Sequence, residues 1–357
     1  YNDFLRGFFS DPEIKKAVHG LKNLCRALLA EGISPAGFVF DTEVAAYLLA
    51  PADGSYELEK LGLTCYSQQF PKASLYLDEG AFGPLSDPEP PAQAMMRHCL
   101  LIDALRDTFT ARLRELGMWE LYETVDLPLC QVLAEMETEG FLIDRGALAE
   151  FGTMLSGRID AVQKTIYALA GEDTFNINST QQLGGILFDK LGLPPVKKTK
   201  TGYSTNADVL EKLRGEHPII DSILEYRQLT KLKSTYVDGL GKVIGPNGRI
   251  HTSFQNTVTA TGRLSSTHPN LQNIPVRTEL GAELRKMFAA PAGKVLVDAD
   301  YSQIELRLLA HMAGDQAMID GFKSGEDIHT ITASQVFGVP AEEVAPQMRR
   351  SAKAVNF

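Results

Sequence analysis

Through roughly the first third of the chain, short apolar runs that suit strands alternate with stretches whose apolar positions recur every three or four residues. Gly37-Phe38-Val39-Phe40 is one strand candidate, and the Pro-rich stretch at 84–91 interrupts the pattern. An α/β region is predicted here. Between 125 and 148 the period becomes helical, with Leu129, Val132, Leu133 and Met136 on one face. Gly140 ends that helix, and Phe141-Leu142-Ile143-Asp144 opens the next unit. Residues 145–242 read as helices interrupted at Asn176-Ile177-Asn178-Ser179 and at the polar stretch Lys197-Lys198-Thr199-Lys200-Thr201-Gly202. After the turn signal Gly245-Pro246-Asn247-Gly248, Ile250, Thr252 and Phe254 alternate as in a strand. Two further runs, 285–288 and 294–297, separated by Pro291-Ala292-Gly293, predict a hairpin whose second strand runs into Asp298-Ala299-Asp300. A helical run over 304–312 follows at once.

A chain of 357 residues is long enough for two or three such cores. No apolar run approaches the ~20 residues a membrane span needs, so no membrane partner is expected. Tyr1-Asn2-Asp3-Phe4 has neither a basic nor an apolar leader character, which predicts a cytoplasmic protein. Cys25, Cys65, Cys99 and Cys130 are scattered without metal-like spacing and read as reduced thiols. The net charge of −10 argues against a nucleic-acid partner until it is divided along the chain. Residues 1–150 hold 12 Lys and Arg against 24 Asp and Glu, whereas residues 190–263 hold 12 against 6. The middle segment therefore carries the footprint of a module that neutralises phosphates, although solvated helical faces look similar.

Two stretches carry candidate chemistry. The apolar run ending at Asp300 brings a carboxylate to a strand's end with a helix directly behind it. Phosphoryl transfer needs a divalent cation to offset charge, and a hard oxygen ligand holds Mg²⁺ while leaving positions for substrate and water. The main-chain carbonyl of Tyr301 is a candidate second ligand. An Asp at a strand-to-helix turn serves equally as a helix cap, so spacing alone leaves both roles open. At the other stretch, Arg349, Lys353 and Phe357 fall at i, i+4 and i+8, which sets two cations and a ring along one helical face. Such a face suits a triphosphate and a base, or plain solvent.

The octapeptide Asp300-Tyr301-Ser302-Gln303-Ile304-Glu305-Leu306-Arg307 resembles motif A of bacterial family A DNA polymerases. Thr259-Ala260-Thr261-Gly262-Arg263-Leu264-Ser265-Ser266, with Pro269-Asn270-Leu271-Gln272-Asn273-Ile274-Pro275, resembles the signature that opens the palm in that family. The stretch from Arg349 to Phe357 resembles the start of motif B, and Leu133-Ala134-Glu135-Met136-Glu137 with Gly140 resembles the start of the thumb. The resemblance implies an enzyme, a DNA-directed DNA polymerase. Asp300 would be one of two catalytic metal-binding carboxylates, holding Mg²⁺ with Tyr301. Ser302, Gln303, Ile304 and Glu305 would line the nucleotide site with Tyr301, Glu305 excluding a 2′-hydroxyl; His329, Arg349, Lys353 and Phe357 would complete it. Arg263, Gln272 and Asn273 would line the primer-template duplex, where minor-groove acceptors are similar for every correct pair. Lys198, Lys200, Lys231 and Lys233 would meet phosphates.

The implied fold class is α/β. A ribonuclease H-like 3′–5′ exonuclease-type domain, N-terminally incomplete, is expected over 1–122 and a helical thumb over 123–245. The first part of an α+β palm follows over 246–318 and the start of the fingers over 319–357. The first of these departs from the active pattern. His19-Gly20-Leu21-Lys22-Asn23-Leu24 lines up with the second proofreading motif, but Leu24 stands where an active enzyme has Asp; the third would put its Tyr near Cys99 and its Asp near Asp103. Asp41 reads as a helix cap. Proofreading is therefore expected to be inactive. The implied partners are primer-template DNA, deoxynucleoside triphosphates and a C-terminal remainder bearing the rest of the fingers and motif C, with its second carboxylate. Without that remainder the expected state is inactive, and a non-catalytic DNA-binding subunit of a split polymerase is the alternative.

Overall fold

In the computed structural model, which describes residues 2–355 except 79, 80, 82, 84, 85, 200, 201, 277 and 326, strands Lys16–Val18 and Phe38–Asp41 pair in parallel. Helix Leu21–Ala30 makes the crossover that parallel neighbours require. Helices Thr42–Leu49, Glu89–Glu115 and Leu127–Glu139 close over Leu21, Cys25, Phe40, Val44 and Tyr122 to form a first core. Asp41 pins its centre. The carboxylate is fully buried and accepts the N–H groups of Gly20 at 3.0 Å, Leu21 at 2.7 Å and Glu43 at 2.9 Å, so one side chain caps two helices, as its cap reading requires. Burial pushes this carboxyl up, and the N–H bonds oppose the shift.

Gly140 ends Leu127–Glu139 at φ 66°, where a Cβ would lie 2.7 Å from the Ile250 carbonyl. The chain then enters strand Phe141–Leu142, antiparallel to Arg249–Ile250. Two long helices, Arg145–Ala170 and Pro218–Lys231, pack together and divide their apolar faces between two more cores. One gathers Ile166, Leu183, Leu187, Leu210 and Ile223; the other gathers Leu155, Leu229, Tyr236, Ile250 and Leu284. Strand Ser253–Gln255 pairs antiparallel with Ser265–Thr267. The architecture is thus mostly helical with short strands, and among the described residues no helix is long and apolar enough to cross a membrane.

The hairpin predicted over 285–288 and 294–297 does not form. Glu279–Arg285 is a helix whose N-terminal Gly281 N–H is taken by the Thr278 hydroxyl at 3.1 Å, and Leu280, Leu284 and Met287 turn at helical intervals into the third core. Phe288 makes one bridge, to Ile143. Residues 294–300 join no strand ladder among the described residues, and Val295 and Val297 are 80% and 85% exposed. Alternating valines do not make a strand without a neighbour to take the backbone hydrogen bonds. The chain divides after Gly293 into two compact units, the second running from Lys294. Within it, helices Ile304–Ala313, Gln316–Ser324, Ile328–Phe337 and Pro346–Val355 pack in succession, burying Leu306, Ala310, Ile328, Ala333 and Ala352.

An ionic joint ties the first core to strand Ser253–Gln255. The Glu137 side chain is 0% exposed and accepts Lys22 Nζ at 2.6 Å, Arg26 Nη1 at 3.3 Å and the Phe254 N–H at 2.7 Å. Glu137→Gln leaves Lys22 buried without its counter-charge, so a loss of about 3–5 kcal/mol is expected, because breaking a buried pair strands the other charge. The measurement is the urea midpoint of wild type and variant; equal midpoints would contradict the joint.

Candidate functional site

Asp300 ends the irregular stretch of the second unit with its carboxylate exposed, and it does not cap the helix that follows. That position belongs to Gln303, a non-glycine residue at φ 53°, a conformation that costs roughly 1–3 kcal/mol and persists only where its surroundings offset the strain. What holds it is visible: Gln303 Nε2 donates to Asp327 Oδ1 at 3.1 Å. The other amide atom, Oε1, is buried with no hydrogen-bond partner among the described residues. Tyr301 and Ser302 are exposed, and the Ser302 carbonyl accepts Arg307 Nε at 2.9 Å. Ile304 and Glu305 form the first turn of Ile304–Ala313, both exposed.

Asp327 organises the unit. Besides Gln303, its carboxylate accepts Thr330 Oγ1 at 2.8 Å, Arg349 Nε at 2.5 Å and the His329 N–H at 3.3 Å. It therefore caps Ile328–Phe337 and ties that helix both to the octapeptide and to Pro346–Val355. Burial alone would raise the Asp327 carboxyl, but the hydrogen bonds from Arg349, Thr330 and Gln303 outweigh it and hold the group well below the usual carboxylate range. His329 is 3% exposed; burial lowers its pKa, and Arg349 and Lys353 lower it further against the pull of Asp327. The ring is accordingly neutral near pH 7. Lys353 lies one turn beyond Arg349 on the same helix. Phe357 lies outside the described residues. An Asp directly before an apolar helical run is a cap signal that sequence alone could have used. Its reach to Gln303 and Arg349 carried no such signal.

In the first unit, Arg263 sits on the exposed loop 256–264 between strands Ser253–Gln255 and Ser265–Thr267. Gln272 is drawn to the same place, its Nε2 donating to the Leu264 carbonyl at 2.9 Å, while the carbonyl of Asn273 accepts the Tyr236 hydroxyl. Lys231 is exposed in the last turn of Pro218–Lys231, whereas Lys233 pairs with Asp238 at 3.1 Å. Lys198 belongs to a strand, Lys198–Thr199, paired with Gly202–Tyr203; Lys200 lies outside the described residues. Leu24 is half-buried on Leu21–Ala30, and Asp103 is exposed on Glu89–Glu115 in a 2.9 Å ion pair with Arg106. Among the described residues no three His, Cys, Asp or Glu side chains cluster so as to hold a metal. Asp300 thus offers one hard-oxygen ligand, which meets no hydrogen-bond donor or cation among the described residues.

Residues 145–357 match the family profile of DNA polymerase family A. DNA polymerase I of Geobacillus stearothermophilus is 45% identical over 352 residues, 98% of this chain and 40% of that protein. DNA polymerase I of Bacillus subtilis is 43% identical over 364 residues, 100% of this chain and 41% of that protein. A solved structure, the POL domain of Pol1 from M. smegmatis in complex with DNA primer-template and dNTP, is similar with a TM-score of 0.84 at 36% identity; the match covers 99% of this chain and 60% of that one. The chain spans about two-fifths of the length of these two curated relatives.

Because the Asp327 carboxyl is held low, its contribution to stability is complete above the unfolded Asp value of about 3.9 and is lost as pH falls through the lower folded value. Asp327→Asn is expected to lower stability by about 0.5–1 kcal/mol at pH 7, a modest figure because the Arg349 partner is well exposed. The gap in melting temperature between wild type and variant should hold from pH 7 to about 4 and shrink below it. A gap that widens on acidification would contradict the hub.

Proposed function

The chain belongs to DNA polymerase family A, and we propose that it forms part of an enzyme that transfers deoxynucleotides to a primer 3′-hydroxyl under the direction of a template. The observation that carries this reading lies in the second unit. Asp300, which no described cation neutralises, stands just before a left-handed Gln303 whose amide shares Asp327 with Arg349, so carboxylate and triphosphate-binding cation belong to one small helical assembly. Asp327 occupies Nε of Arg349, and the Nη groups carry the donors that match phosphate oxygens. Lys353 adds a point charge one turn on, and neutral His329 is a hydrogen-bonding neighbour. Glu305 packs against the incoming sugar and excludes a 2′-hydroxyl, while Tyr301, Ser302, Gln303, Ile304 and Phe357 shape the remaining walls.

The hard oxygens of Asp300 and of the Tyr301 carbonyl fit Mg²⁺, which when bound offsets charge on the triphosphate. In a two-metal site a second carboxylate is needed, and residues 1–357 by themselves are proposed not to extend a primer. Arg263, Gln272 and Asn273 meet the duplex in its minor groove; Lys198, Lys200, Lys231 and Lys233 meet its phosphates. The first core takes the place of a ribonuclease H-like proofreading domain, followed by thumb, palm and fingers. Leu24 cannot bind a metal and Asp103 is spent on Arg106, which supports a domain without proofreading chemistry. The working compartment is the cytoplasm.

Primer extension tests the reading. Residues 1–357 alone should give no product, and addition of a segment carrying the second carboxylate should restore it. In the restored enzyme Asp300→Asn should reduce the rate by at least about a thousandfold, several kcal/mol of lost charge stabilisation. Incorporation by residues 1–357 alone would refute the half-site. Duplex binding without any restored synthesis would favour the non-catalytic subunit. Release of nucleotides from a primer's 3′ end, abolished by Asp103→Ala, would overturn the inactive proofreading domain.

A further inference from the structure

The loop that carries Arg263 is held by the first core as well as by its own strands. Tyr47, 4% exposed on Thr42–Leu49, donates its hydroxyl to the Thr259 carbonyl at 2.8 Å. From the same helix, Glu43 Oε1 accepts the Thr257 hydroxyl at 3.1 Å. Asn256 Nδ2 donates to the buried Cys130 Sγ at 3.6 Å, and Glu137 takes the Phe254 N–H at the loop's base. Inside the loop Thr259 passes the constraint on: its hydroxyl donates to the Arg263 carbonyl at 2.6 Å, and its carbonyl also receives the Gly262 N–H at 3.4 Å. A continuous path of hydrogen bonds therefore runs from a buried tyrosine of the first core to the backbone of Arg263.

We propose that Tyr47 is a positioning residue for the primer-template interface, setting the backbone of Arg263 through Thr259, and that the first core serves as the brace of this loop. The proposal rests on the reading that Arg263 meets the duplex. Its physical basis is preorganisation. An exposed loop of small residues and a glycine samples many conformations when free, and ordering it at the moment of binding reduces affinity. A buried hydroxyl that already fixes Thr259 removes part of that penalty. The contact is specific to one oxygen atom: phenylalanine at position 47 keeps the ring, including its edge-on packing at 6.0 Å against Tyr56, and deletes only the donor.

The test is binding of residues 1–357 to a fluorescently labelled primer-template duplex by anisotropy at fixed salt. Tyr47→Phe should raise Kd about three- to tenfold, the effect of one lost hydrogen bond. Tyr56→Phe removes a hydroxyl bonded to the Ala50 carbonyl in the same core without touching the loop, and should leave Kd unchanged. In an Arg263→Ala background Tyr47→Phe should have no further effect, because a residue acting through Arg263 cannot act once that side chain is gone. Thr259→Val, which cuts the second link of the path, should reproduce Tyr47→Phe. Equal Kd values for wild type and Tyr47→Phe, or full additivity with Arg263→Ala, would overturn the proposal while leaving the interface reading intact. Failure of the wild-type chain to bind the duplex would sink both.

Discussion

A carboxylate that is taken out of water must be met by donors on every side, and Glu137 imposes that requirement on the whole first unit. Its three partners come from two elements: Lys22 and Arg26 from the crossover helix, and the Phe254 N–H from a strand more than a hundred residues away. Desolvation of such a group costs several kcal/mol, so none of the three can drift without leaving a buried charge exposed to nothing. Apolar contacts in the first core have no comparable demand for direction. The register between that core and the strand pair carrying the Arg263 loop is therefore an electrostatic matter, and packing fills in around it.

The same device recurs with different stakes. Asp41 is wholly buried and satisfied by backbone N–H groups at the starts of two helices, which makes it a permanent joint. Asp327 is only partly buried and is satisfied mainly by side chains, Arg349 among them, with one backbone N–H from His329. An ion pair open to water holds weakly and exchanges readily. That difference suits their places: a rigid cap at the centre of a core, and an adjustable hub among groups proposed to meet a triphosphate.

Much of the local structure was legible in the sequence because its causes are local. The helix over 127–139 follows from spacing, and the stop at Gly140 and the cap at Asp41 follow from backbone sterics and short-range hydrogen bonds. The apolar face of that helix does not, since Val132 and Met136 stand about half exposed while Leu133 turns inward with Leu127, Cys130, Ala134 and Glu137. Where formation depends on a neighbour, the reading failed. The alternation at 294–297 looks like a strand, yet Val295 and Val297 stand exposed without a ladder, and 279–285 became a helix because Leu280, Leu284 and Met287 had a core to enter.

By itself the sequence determined the family and the chemical types available to it, since two long motifs with a carboxylate and spaced cations survive any uncertainty about packing. Only the tertiary structure decided how those groups are held: that Gln303 adopts a left-handed turn against Asp327, that Asp327 reaches Arg349, and that a tyrosine of the first core secures the loop of Arg263. The reason is range. A motif encodes the atoms one segment brings, whereas a hydrogen bond between residues 22 or 212 positions apart exists only once the intervening chain has folded to set donor and acceptor within 3 Å.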